Sequence, residues 1–86
     1  ENGANISIYP NPAAHYAIIE FDVTKTSDTR IMIYDIQGKQ IYHKELPSAR
    51  GLINQKIDVS TMQEGMYLIK VETANDVITR KLMIKH

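Results

Sequence analysis

Apolar and polar residues alternate along most of this chain with a period of two, the pattern of strands that bury one face. Ile6 and Ile8 flank Ser7 in a first short strand. Ala17, Ile19, Phe21 and Val23 alternate with Ile18, Glu20 and Asp22 in a second. Ile31 and Ile33 mark a third, with Arg30, Met32 and Tyr34 on its other face. A fourth runs from Lys39 to Leu46 and carries Ile41, and a fifth from Leu52 to Val59. Tyr67, Ile69 and Val71 define a sixth from Met66 to Glu72. Leu82 and Ile84, set against Lys81, Met83 and Lys85, define the last, from Val77 to Lys85. No stretch holds a helical period long enough for a stable helix. Seven short strands separated by turn signals predict an all-β fold, an immunoglobulin-like antiparallel β-sandwich.

The breaks between strands carry their own chemistry. Tyr9-Pro10-Asn11-Pro12-Ala13 ends the first strand, because neither proline has an N–H to give to a ladder. Each proline also holds the residue before it extended, so a stiff change of direction is expected there. Lys25-Thr26-Ser27-Asp28 reads as a polar turn and Pro47-Ser48-Ala49-Arg50-Gly51 as a loop. Asp35-Ile36-Gln37-Gly38 reads as a type I turn with Gly38 at positive φ. Thr73-Ala74-Asn75-Asp76 is a further turn.

The stretch Asp58 to Val71 joins two strands by one tight corner. Ser60 and Gln63 have capping-box spacing, which predicts a single helical turn over residues 61–63 with Met62 plugging the core beneath it. Gly65 supplies positive φ where the chain reverses. Tyr67 sits just beyond, as a plain core tyrosine at a strand start or as a tyrosine corner returning its hydroxyl to the backbone.

Composition narrows the function classes. The chain has 86 residues, enough for one domain with a modest core, and it has neither Cys nor Trp. Ten basic residues balance ten acidic ones, so no basic field marks a nucleic-acid binder. No apolar run approaches the ~20 residues of a membrane span, and no signal-peptide pattern is present. Residues 1–5 read as a linker remnant, and the chain as a piece from the end of a longer protein. His15, His43 and His86 are scattered, without partners at metal-ligand spacing. Ser27, Ser48 and Ser60 lie in turns outside any nucleophile motif, and Ser60 is better explained as a cap. Asp35 is better explained by turn chemistry, with a weak cation contact as the alternative. No catalytic set, cofactor site or metal site is expected. Arg80, Lys81 and Lys85 form a small basic end that either guards an edge strand or meets an acidic receptor.

The order of these features is more specific than any one of them. Tyr9-Pro10-Asn11-Pro12-Ala13, then Ile33 to Lys39 around Asp35 and Gly38, then Ile57 to Met62 leading through Gly65-Met66-Tyr67, then Arg80 to Lys85: this series resembles the C-terminal sorting domain of the type IX secretion system of Bacteroidetes-type bacteria. The resemblance covers the chain from residue 6 to residue 86. It implies that the family's motif positions fall on Pro10, Asn11, Pro12, Asp35, Gly38, Gly65, Tyr67, Lys81 and Lys85. Met62 and Ala17 depart from it only in side-chain size. It further implies a non-catalytic domain that carries a cargo from the periplasm across the outer membrane, to the cell surface or the medium. Its implied partners are an outer-membrane translocon, shuttle proteins and a sortase-like cysteine peptidase, with a strand-mediated homodimer as a further expectation. The rival is a fibronectin type III-like accessory module binding carbohydrate or protein. That role calls for aromatics gathered on one face, whereas Tyr9, Tyr16, Tyr34 and Tyr42 are spread over several segments.

Overall fold

A computed structural model describes residues 6–86, and the expected linker remnant lies outside the described residues. It contains strands β1 (Ile6–Tyr9), β2 (Tyr16–Tyr34), β3 (Gln40–Asp58), β4 (Gly65–Glu72) and β5 (Val77–Ile84), and no helix. All four pairings between them are antiparallel. One edge of β2 pairs with β3 along nearly its whole length. Its other edge takes β1 beside Ile18 to Phe21 and β4 beside Arg30 to Tyr34, and β5 follows β4.

The expected count of seven strands is corrected to five. The polar turn at Lys25–Asp28 and the loop at Pro47–Gly51 lie inside β2 and β3, each of 19 residues. At about 3.3 Å per residue a flat strand of that length would span roughly 60 Å. The longest dimension of the molecule is 36 Å, so both strands must bend sharply. The bend falls where the β2–β3 register shifts, between Val23 and Ser27 and again between Ser27 and Thr29. Extra residues on one strand of a pair leave a bulge and increase the local bend. The turn-forming residues there are real signals, but they mark a bulged corner in a continuous ladder.

Side chains hold this corner. The Ala74 N–H donates to Ser27 Oγ at 2.7 Å, tying the β4–β5 turn to it. Buried Thr29 donates its hydroxyl to the Ser27 carbonyl at 3.2 Å, and the Ser48 N–H donates to Asp28 Oδ1 at 2.9 Å. Ser48 itself adopts φ of 53° and Gly51 φ of 84°.

The bent sheet curls around one core. Ala17, Ile19, Phe21 and Val23 from the first half of β2 share a cluster with Ile31 and Ile33 from the second half. Ile57, Val59, Tyr67, Ile69, Val71, Leu82 and Ile84 join them, with Ala13 and Ala49 from the segments read as breaks between strands. Apart from those two alanines, these are the inward positions expected from the alternation. Two positions depart from it. Ile41 is 38% exposed, and Met32, on the outward face, is 5% exposed because neighbours cover it, including Tyr34, whose hydroxyl reaches Met32 Sδ at 3.5 Å.

Candidate functional site

The motif residues, spread from residue 10 to residue 85, meet at the end of the sheet opposite the bulged corner. The register requires this. Each strand that leaves the corner reaches the far end at one of these motifs: β1 at Tyr9, β2 at Tyr34, β5 at Ile84.

Pro10, Asn11, Pro12 and Ala13 lie along the outer edge of β5. The Asn11 amide imitates a strand: Nδ2–H donates to the Lys81 carbonyl at 3.2 Å, and Oδ1 accepts the Met83 N–H at 3.0 Å. Ala13 continues the imitation with its backbone, donating to the Met83 carbonyl at 2.8 Å and accepting the Lys85 N–H at 2.9 Å. Both X–Pro bonds, Tyr9–Pro10 and Asn11–Pro12, are cis. The edge of β5 is therefore closed from Lys81 to Lys85. At the Val77–Thr79 end, among the described residues, the Thr79 carbonyl accepts only the neighbouring Arg80 guanidinium, at 3.0 Å.

The hairpin between β2 and β3 is built as its residues require. The Gly38 N–H donates to the Asp35 carbonyl at 3.0 Å, closing a β-turn, with Gly38 at φ of 85°. Asp35 Oδ1 accepts the N–H groups of Gln37 at 2.9 Å and Lys39 at 3.0 Å. Its Oδ1 thus serves the turn, which supports the turn reading.

The corner before β4 corrects two expectations and bears out two others. Residues 61–63 form no helical turn; the Met62 N–H donates to the Val59 carbonyl at 3.1 Å in a β-turn. Ser60 is not the cap. Asp58 instead forms an Asx-turn, its Oδ1 accepting both the Ser60 hydroxyl at 2.6 Å and the Ser60 N–H at 2.9 Å. These two hydrogen bonds hold the Asp58 carboxyl below its usual range. Half-buried Met62 packs against the core, as expected. Gly65 takes φ of 149°, a conformation open to glycine. Tyr67 is a tyrosine corner: the residue is 7% exposed and its hydroxyl donates to the Gln63 carbonyl at 2.6 Å. His86 ties the last strand to the same corner, its N–H donating to Glu64 Oε2 at 2.7 Å and its Nε2 lying 2.7 Å from the Met62 carbonyl.

Asp35, Gly65 and Tyr67 line one groove of about 410 Å³, with Ile36 and Met62. Asp35 and Gly38 also border a second, of about 520 Å³, floored by Tyr34, Met66 and Leu68. Lys81 stands opposite Leu68 on β5. Ile36, Met66 and Leu68 escaped the sequence reading. Only the placement of Leu68 on the polar side of an alternating strand signalled an apolar residue facing out. Among the described residues, no group of three or more His, Cys, Asp or Glu could hold a metal ion.

The chain has no match among curated proteins. Among solved structures, it is similar to dimeric latent PorU from Porphyromonas gingivalis, with 18% identity and a TM-score of 0.72. That match covers 94% of this chain but only 9% of the PorU chain, and at this identity it shows a shared fold. The family model described as "Secretion system C-terminal sorting domain" matches residues 7–85, which takes in every motif gathered at this end of the sheet. The chain therefore belongs to the type IX secretion C-terminal sorting domains, a family of non-catalytic sorting signals.

Proposed function

We propose that this domain carries a cargo fused ahead of residue 6 out of the periplasm, through an outer-membrane translocon assisted by shuttle proteins. A sortase-like cysteine peptidase then removes the domain and fixes the cargo at the cell surface. The observation that carries this reading is the family match over residues 7–85. The fold belongs with it as an immunoglobulin-like sandwich. One layer holds β1, the first half of β2 and the second half of β3; the other holds the remaining halves with β4 and β5. The arrangement suits the task. Ile6 pairs with Phe21 near the bulged corner, so a cargo joined there stands away from the motif end. A second copy of the domain pairing along β5 would have to use its Val77–Thr79 end, since Asn11 and Ala13 occupy the rest.

The test is a fusion of residues 1–86 to the C-terminus of a periplasmic reporter, in a host with the type IX system. The reporter is expected at the cell surface or in the medium. Reporter held in the periplasm would sink the sorting reading. Recovery of reporter outside the cell with the domain still attached would remove the peptidase step alone.

A further inference from the structure

The outward face of the sheet formed by β3, β2, β4 and β5 changes character along its length. Near the bulged corner its charges are matched. Arg30 lies 3.6 Å from Glu45 and 3.6 Å from Glu72, His43 lies 2.9 Å from Glu45, and Lys70 reaches Glu72 at 3.6 Å. Toward the motif end the carboxylates give out and apolar side chains take their place. Tyr34, Met66 and Leu68 floor the groove of about 520 Å³, and Ile36 projects beside it from the hairpin tip. Leu68 is 39% exposed and Ile36 is 79% exposed. Leu68 is flanked by two lysines on the same face: Lys70 two residues along β4, and Lys81 directly opposite on β5. Among the described residues Lys81 pairs with no carboxylate, and the one carboxylate in the groove wall, Asp35, turns its Oδ1 to the N–H groups of its own turn.

We propose that this groove docks an extended apolar segment bearing carboxylates, presented by a protein of the export machinery. The inference rests on the sorting-domain reading and adds to it the surface and the chemistry of the partner. An apolar floor gains by being covered. Lys70 already reaches Glu72, so it is Lys81 beside the floor that selects a covering segment bringing carboxylates: an acidic partner satisfies it while a basic one is repelled. The groove also lies at the end of the sheet away from Ile6, so an approaching partner does not meet the cargo.

The reporter fusion tests this with four substitutions, each at an exposed side chain so that the folding midpoint stays near that of the unmodified domain. Leu68→Glu places a carboxylate against the partner's carboxylates and is expected to lower export roughly ten-fold or more. Leu68→Lys keeps the favourable sign and is expected to export several-fold better than Leu68→Glu. Lys81→Glu is expected to lower export as well. Leu52→Glu, at a side chain 67% exposed near the bulged corner, is expected to export normally. Normal export by folded Leu68→Glu, or equal loss with Glu and Lys at position 68, overturns the proposal while the unmodified fusion still exports. Retention of the unmodified fusion removes the sorting reading and the docking site with it. Co-sedimentation of the purified chain with phosphatidylglycerol vesicles, lost in Leu68→Glu, overturns it in favour of a membrane surface.

Discussion

The two ends of this sheet spend similar residues on different ends. At the bulged corner, hydrogen bonds of Ser27, Asp28, Thr29 and Ser48 to one another and to Ala74 hold β2 and β3 continuous through a bend. At the motif end, Asp35, Asp58 and Asn11 also serve the backbone, but there they close true turns and fasten separate segments. The outward faces differ more. Carboxylates answer the cations near the corner, while the motif end leaves Ile36, Leu68 and Lys81 facing solvent. One end completes the fold; the other leaves a surface for something else to complete.

Substitutions can break this comparison. The largest effect is expected at Tyr67. Tyr67→Ala removes a buried ring and should lower stability by about 3–5 kcal/mol in denaturant unfolding. Tyr67→Phe removes only the hydroxyl bond to Gln63 and should cost about 1 kcal/mol. Thr29→Val at the opposite corner, which deletes the buried hydroxyl bond to Ser27, should cost a similar amount. A negligible change at Thr29 would mean that the corner is held by its ladder and not by its side chains.

Next come Gly38, Gly51 and Gly65. Gly38→Ala and Gly51→Ala meet no steric obstacle, so each should cost only the strain of positive φ, on the order of 1 kcal/mol. Equal losses would show that backbone strain is shared by both ends; a stabilising Gly51→Ala would remove the corner from the comparison. Gly65→Ala should fall in the same range.

Asn11→Ala should cost about 1 kcal/mol, since its two hydrogen bonds are exposed to water. Its sharper signature is local. Amide exchange at Met83 should speed up in Asn11→Ala, while exchange at Leu82, which faces β4, stays slow. Unchanged exchange at Met83 would show that Ala13 alone closes the edge.

Arg30→Ala near the corner should cost no more than a few tenths of a kcal/mol, because both of its ion pairs are exposed. A loss above 1 kcal/mol would make that network structural.

The smallest effect follows pH. The folded Asp58 carboxyl lies below its unfolded value, so ionised Asp58 favours the folded state. Its contribution is present above the unfolded value of 3.8 and fades as pH falls through the lower folded one. Asp58→Asn should therefore flatten part of the acid limb of a stability profile and leave the profile above pH 5 parallel to that of the unmodified domain, read from denaturant midpoints at a series of pH values. Parallel acid limbs would remove Ser60 as the cause of the shift.

The sequence by itself determined the faces of the strands, since alternation is a local consequence of the pleat: Ile19, Ile33, Ile69, Leu82 and Ile84 are buried as their spacing requires. It also determined the type of the Asp35–Gly38 turn and the positive φ at Gly38 and Gly65, because those depend on residues within one turn. The tyrosine corner was legible as one of two readings, and only the distance from Tyr67 to Gln63 chose between them. Tertiary structure decided the rest. Whether Ser27 and Ser48 break a strand or bend it depends on the partner opposite, and a bulge is a property of a pair. Asn11 reads as a turn residue until β5, some 70 residues later, brings Lys81 and Met83 beside it. Leu68 is an unremarkable outward position until Tyr34, Met66 and Lys81 meet around it. Contacts of that range have no local pattern, because their geometry exists only once the sheet has curled.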